Sequence, residues 1–450
     1  MIRKKAALIL GKLLPYKSEL IWIVLGLFVQ LFSGVFTIKI LTNFLNTEEY
    51  GTYSLINSII QFIEIVIFSS LIQGAGRYSY YLKDISHAFE FAKILSSKIF
   101  YALISISLLF AIFFLIKGKI IFFYYCLLIF VLIYLDVNRD IIIGIFHMNR
   151  SRKIVTLFKS LDQMLRMISV IIVGFLGLIS LVNIYIGFIF TTLLLFFLLY
   201  KKKIKLQSGE SISYKNIEKE NKNKLEDKIL KFAFPFALTS VFTWLLTWAD
   251  RWVLNSFLPI EKVGIYSANS QIANVPFMII SSIALTFFAP ILFSKAENIT
   301  NTKDLESYRK QINKILILYI SLSFFSLAIV LIAQNSILKI MLNTKFISSG
   351  YLFILISLGW LLYQIAQVHA TLYLYTTSDS KAALISSIIA GIVYLLSLLI
   401  LVKKYNELGA AFSFIISNIV RILFQFNFSK RSWYLFKLKI LNLNFDSSKY

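Results

Sequence analysis

Charged residues stand inside long apolar runs of this chain, where a charge is costly and must face a partner or a cavity. Lys159, Asp162 and Arg166 fall at i, i+3 and i+7 within the run 155–177, so they share one helical face and Asp162 can pair with either neighbour. The face reads either as a basic wall able to hold an anion or as a self-satisfied ion-pair ladder. Trp244, Trp248 and Arg251 follow i, i+4 and i+7 within 231–256, with Asp250 beside Arg251. Indole rings next to a guanidinium suit a sugar and a phosphate, because the planar fork of arginine binds phosphate oxygens in pairs and keeps its charge. The same pattern also suits an aromatic belt with an anchoring arginine. Arg421, within 408–428, has no acidic neighbour in its own run and must pair across helices, reach the interface or face a cavity. Lys159, Arg166, Trp244, Trp248, Arg251 and Arg421 are therefore the candidate cavity residues.

Acidic groups form a second set. Asn57, Gln61 and Glu64 make a polar stripe at helical spacing. Glu64 stands about 12 Å from the end of its run, deep in hydrocarbon, and leads the candidates for coupling to H+ or Na+; Asp162 and Asp250 complete that set. The structural alternative for Glu64 is an interhelical hydrogen bond. Asp136, Arg139 and Asp140 lie towards the end of the run 120–143, and Arg139 is expected to snorkel to the interface. No Cys/His cluster can hold a metal, because the chain has one cysteine, Cys126, and three histidines.

The elements that must position these groups are membrane helices. The chain has 450 residues, 58% of them hydrophobic and only 15% charged. Twelve apolar runs recur, at 20–41, 52–73, 94–116, 120–143, 155–177, 180–200, 231–256, 263–289, 313–334, 350–375, 382–402 and 408–428. Each can cross about 30 Å of hydrocarbon as a helix, and barrel strands would instead alternate over about ten residues. The predicted class is an all-α integral membrane protein. The net charge of +24 resides mostly in loops and marks orientation and anionic lipid; no nucleic-acid partner is expected. Residues 6–14 are expected to form a short amphipathic helix on the inner surface.

Lys and Arg in alternate connections number 32 on the side of the N-terminus against 7 on the other, which places both termini in the cytoplasm. The charged stretch 201–230 divides the chain into an N-terminal bundle of six helices at 1–200 and a C-terminal bundle of six at 231–450. Phe44-Leu45-Asn46-Thr47-Glu48-Glu49-Tyr50-Gly51-Thr52-Tyr53-Ser54 returns 213 residues later as Phe257-Leu258-Pro259-Ile260-Glu261-Lys262-Val263-Gly264-Ile265-Tyr266-Ser267, identical at six of eleven positions. The offset spans an even number of helices, so both copies face outside and the halves are parallel repeats. Glu48, Gly51 and Tyr53, with Glu261, Gly264 and Tyr266, are read as structural. Each glycine is expected to supply the positive φ of a tight turn between helices.

The junction Glu48, Gly51-x-Tyr53, its second copy Gly264-x-Tyr266 after Ala249-Asp250-Arg251, and the small-residue start Gly409-Ala410-Ala411 resemble the O-antigen and polysaccharide flippases of the multidrug/oligosaccharidyl-lipid/polysaccharide (MOP) superfamily. The resemblance covers essentially the whole chain. It implies two bundles in a V around a cavity that opens alternately to each side, in the inner membrane of a bacterium. It implies a cargo of undecaprenyl pyrophosphate bearing a sugar repeat, moved from the inner to the outer leaflet, and neighbours among polysaccharide-assembly membrane proteins. It carries over no catalytic residue. A drug or organic-cation exporter of the same architecture is the alternative, but seven basic against five acidic residues in the runs lean towards an anionic cargo. A membrane polymerase would need a large outer loop, and no outer connection exceeds about 15 residues. No G-x-x-x-x-G-K-[ST] segment is present, so energy must come from an ion gradient, the membrane potential or consumption of the cargo.

Overall fold

A computed structural model describes residues 17–70, 120–148, 151–207, 219–297, 302–375 and 380–440, together with 299 and scattered positions between 97 and 116. The expected N-terminal amphipathic helix, the connection 74–93 and most of the run 94–116 lie outside the described residues.

Among the described residues every regular element is helical, as apolar runs of this length must be where no water can satisfy backbone groups. In chain order they are α1 (Lys17–Phe44), α2 (Thr47–Phe62), α3 (Ile120–Met148), α4 (Arg152–Phe175), α5 (Leu181–Gln207), α6 (Lys219–Phe257), α7 (Ile260–Glu297), α8 (Thr302–Met341), α9 (Gly350–His369) and α10 (Ser380–Ile440). Two of them loosen into π-helix, α2 over Ile63–Ser69 and α9 over Ala370–Tyr375. Asn406 breaks α10 with φ 52° and ψ −133°, dividing it into α10a (380–405) and α10b (407–440). The break falls where the sequence separates its last two runs. Seven of the described helices are long and apolar enough to cross a membrane.

The chain forms two compact units. The first holds residues 1–45 and 59–237, the second 46–58 and 238–450. In the first, α1 packs along α4, and α5 lies against both α3 and α4. Phe28, Phe32 and Phe36 of α1 are all exposed and ring on ring at 6.3 and 4.6 Å, an apolar stripe suited to lipid. In the second unit α9 is the central helix, packed on α7, α8 and α10.

From Asn46 onward the first copy of the repeated junction belongs to the second unit, as does the whole second copy, and there the two copies touch. Asn46 caps α2: its Oδ1 accepts from Glu49 N at 2.8 Å, and Glu49 Oε2 accepts from Asn46 N at 3.0 Å, a reciprocal capping box. Glu48 and Glu261 stand in the first turns of α2 and α7, where the helix dipole favours an anion. The expected role of the glycines is corrected. Neither Gly51 nor Gly264 has positive φ; both lie in the second turns of helices that have already begun. A Cβ on Gly264 would run into the carbonyl oxygen of Thr47 and stand 3.0 Å from Gly51 N, and one on Gly51 would meet the carbonyl oxygen of Ile260. The repeat keeps glycine because two helix starts pass backbone to backbone there. Tyr53, Tyr266, Ser54 and Ser267, which close the repeated segment, are all buried beside this contact.

Candidate functional site

The first unit buries an ion network at the meeting of α3, α4 and α5. Asp136 Oδ1 takes Arg139 Nη1 at 2.8 Å and Arg166 Nη2 at 2.5 Å. Asp162 Oδ1 takes Arg139 Nη1 at 2.7 Å and Arg166 Nε at 3.2 Å. Asp140 Oδ1 takes Arg139 Nη2 at 3.0 Å. Thr192 of α5 donates its hydroxyl to Asp136 Oδ1 at 3.1 Å. Helical spacing explains half of this: Asp136 and Arg139 are one turn apart on α3, and Asp162 and Arg166 one turn apart on α4. The cross-links between helices then make each carboxylate serve two guanidiniums. Arg139 does not snorkel; it is buried among three carboxylates. The partners of Asp162 are Arg166 and Arg139, while Lys159 is exposed and pairs with no described residue.

Glu64 sits in the π-helical turn, which packs on α3, and accepts from Gln61 Nε2 at 2.8 Å. It lies within electrostatic reach of Asp136, Asp140, Arg139 and Arg166. Among the described residues four carboxylates thus meet two guanidiniums, an imbalance that a proton or another cation would relieve. Arg166 differs from its partner in the network: its side chain remains 19% exposed, against 8% for Arg139.

The second unit encloses Arg251 almost completely, at 2% exposed. Its Nη1 donates to Asp250 Oδ1 at 2.8 Å and to Thr247 O at 2.7 Å, and its Nε to Ser54 Oγ at 3.1 Å. Its guanidinium lies 4.3 Å from the centre of the Trp248 ring. Asp250 is buried with it. Trp244 donates its indole N–H to Ser58 O, and Trp252 to Ser58 Oγ, both at 2.8 Å. Trp252 extends the stripe of Trp244 and Trp248 by one turn; the spacing held that signal and the reading of the sequence stopped short of it. These bonds hold residues 46–58 to α6. Ser58→Ala is expected to strand the Trp252 indole and cost about 1 kcal/mol, read as a lower melting temperature of the purified protein.

Arg421 is also buried. Its Nη2 donates to Gln367 Oε1 at 2.6 Å and to Ser387 Oγ at 3.2 Å, and its guanidinium lies 5.5 Å from the Tyr363 ring, so it ties α9, α10a and α10b together. Nearby, Gln364 donates to Asn274 Oδ1 at 3.1 Å and Trp360 to Ser270 Oγ at 2.9 Å. The structure thus gathers Asp162 and Arg166 with Glu64 in one unit, and Trp244, Trp248, Asp250 and Arg251 in the other. Arg421 stands apart from the latter group, and Lys159 stands outside the ion network. Asp136, Arg139 and Thr192 belong to the site without having been candidates, since nothing along the sequence shows which helix lies across from α4.

Solved structures share this fold over nearly their full length. A lipid II flippase MurJ in an inward closed conformation aligns with a TM-score of 0.70 at 16% identity, covering 94% of this chain and 91% of that one. A multidrug resistance MATE family transporter of the MOP superfamily aligns in its inward-facing conformation at 0.70 and 12% identity, covering 91% and 95%. An outward-facing one aligns at 0.66 and 12%, covering 93% and 95%. At such identities the likeness establishes an all-α membrane fold of the MurJ and MATE kind. No curated protein matches the chain. The sequence profile described as polysaccharide biosynthesis protein matches residues 17–296, more than half of the chain, and the chain belongs to that family.

Proposed function

We propose that this chain is a flippase that carries undecaprenyl-pyrophosphate-linked oligosaccharide repeat units from the inner to the outer leaflet of a bacterial cytoplasmic membrane, for surface polysaccharides such as O-antigen or capsule. Membership of the polysaccharide biosynthesis family supports the class of cargo. The transporter fold supports moving that cargo over altering it. In this reading both termini are cytoplasmic, the two bundles at 1–200 and 231–450 alternate in access, and polysaccharide-assembly proteins stand nearby in the membrane.

One observation carries the reading to residues. Arg166 is held in place by two carboxylates yet its side chain remains partly exposed, and the exposed Lys159 stands two turns away on the same face of α4. Together they offer a fixed and a mobile cation to a pyrophosphate. Arg251 and Arg421, enclosed by their own partners, fit a structural part better than contact with cargo. The carboxylate excess around Glu64 and Asp162 supports coupling to H+ or Na+; Asp250, committed to Arg251, fits that role less well.

In cells lacking the protein, lipid-linked repeat units should pile up on the inner leaflet. In vesicles, Lys159→Ala should slow translocation on the order of tenfold, the worth of one charged hydrogen bond to phosphate, with the protein's stability unchanged. Unaltered surface glycan together with new drug sensitivity in the deletion strain would overturn the proposal in favour of a cation exporter.

A further inference from the structure

α5 passes close to α4 beside the ion network. Gly187 marks the passage: a Cβ there would stand 3.2 Å from Ser169 Cβ and 3.3 Å from its hydroxyl oxygen, and Ser169 follows Arg166 by one turn of α4. Phe188, Thr192, Leu195 and Leu199 fall at i, i+4, i+7 and i+11, so they share one face of α5. All four are buried. Leu195 and Leu199 close an apolar core with Phe146, Val155 and Phe158, which holds this face of α5 firmly on its neighbours. Thr192 is the polar member of the face. A buried hydroxyl must find partners, and it finds them in the network.

Phe188 and Thr192 both meet Arg166. Thr192 Oγ1 accepts from Arg166 Nη2 at 3.3 Å while donating to Asp136 Oδ1 at 3.1 Å. Phe188, one turn away, sets its ring centre 5.4 Å from the guanidinium carbon, within the range of a cation–π contact. Arg166 Nε is committed to Asp162 and Nη2 to Asp136. The third nitrogen, Nη1, bonds to no described residue. Asp136 does not depend on the hydroxyl, since it already holds two guanidiniums. Arg166 does. Two carboxylates hold one edge of its fork, which leaves the group free to tilt about that edge. The ring on its face and the hydroxyl at Nη2 stop the tilt.

We propose that Phe188 and Thr192 are positioning residues, which aim Arg166 Nη1 at a non-bridging phosphate oxygen of the cargo. This rests on the reading of Arg166 as a cargo contact, and it adds what makes that contact precise. A free arginine grips phosphate oxygens in pairs. Arg166 has one nitrogen to offer, so it meets a single oxygen end-on, and such a bond weakens steeply when the donor swings off line. Lys159 can follow a moving headgroup on its long stem. Arg166 cannot follow and must be aimed.

The test uses the full chain in phosphatidylcholine liposomes and follows the flipping rate of a fluorescent undecaprenyl-pyrophosphate disaccharide against its concentration. Thr192→Val keeps the shape and removes the hydroxyl; KM should rise about fivefold, the worth of one hydrogen bond, with kcat little changed. T192S should restore the parent KM. F188L, which removes the ring and leaves the hydroxyl, should raise KM about threefold. T191V is the control, because the Thr191 hydroxyl bonds within its own helix to Phe188 O at 2.9 Å; both constants should stay as in the parent. In an R166K protein the T192V change should no longer move KM, since the group it aims is gone. A merely structural hydroxyl would lower the melting temperature and the active fraction and leave KM alone. That result in T192V and F188L, or an undiminished rise of KM in the R166K protein, would overturn the positioning role while the cargo reading stands. A parent protein that does not flip the probe would sink the cargo reading and this proposal with it.

Discussion

Arg139→Leu is expected to destabilise the protein by about 3–5 kcal/mol, the cost of leaving buried carboxylates without their cation. Arg139 is shared by Asp136, Asp140 and Asp162 at 2.7 to 3.0 Å. Asp140, 43% exposed on its side chain, can turn to water, but Asp136 and Asp162 cannot. Arg166 alone would then face both of them with Glu64 close by. The expected result is loss of folded protein from the membrane fraction and a collapse of the melting transition. Adding Asp162→Asn to the same protein should restore more than half of the loss, because it removes a charge along with its missing partner. An additive double variant, as damaged as the two single ones summed, would show that the three helices do not share one network.

What the sequence discloses about this site is governed by the helical period. Spacing of three, four and seven residues places Asp162 and Arg166 on one face of α4 and puts Trp248 under Arg251, and the structure has both contacts. The same spacing is silent about what lies across a helix interface, so Arg139 reads as a snorkelling end residue although it completes the network from α3. Run lengths place every described helix core, but they follow apolar character and end where it ends. The first turns of α8 and the last turns of α10b are too polar to register. They are helical because Tyr308, Trp433 and Phe436 bury against one another and neighbouring residues. Tertiary contact, not hydropathy, sets those boundaries.

The repeated glycine teaches the same lesson more sharply. A glycine after an acidic residue, between two apolar runs, suits a positive-φ turn, and that conformational argument is sound for many helix ends. Here the helices begin four residues earlier, with Asn46 capping α2, and the glycine serves the close passage of a second helix start. Recurrence at an offset of 213 residues says that both halves need the residue. It cannot say that they need it against each other.

Gly264→Ala is therefore expected to do nearly as much harm as Gly264→Leu, about 3 kcal/mol or more in each case. The first added carbon already collides with the Thr47 carbonyl and with Gly51 N, and backbone cannot rotate out of the way as a side chain can. The start of α2 would have to move, and with it Ser54 and Ser58, which hold Arg251, Trp244 and Trp252. Gly391 supplies the contrast. A Cβ there would stand 2.7 Å from the edge of the Phe242 ring, which can tilt, so Gly391→Ala should be mild. Gly51→Ala should resemble Gly264→Ala, and the double variant should be no worse than about one of them, because the helices part only once. Fluorescence-detected melting of the detergent-purified proteins decides the matter: Gly264→Ala with the stability of the parent would mean that the two junctions do not meet as described.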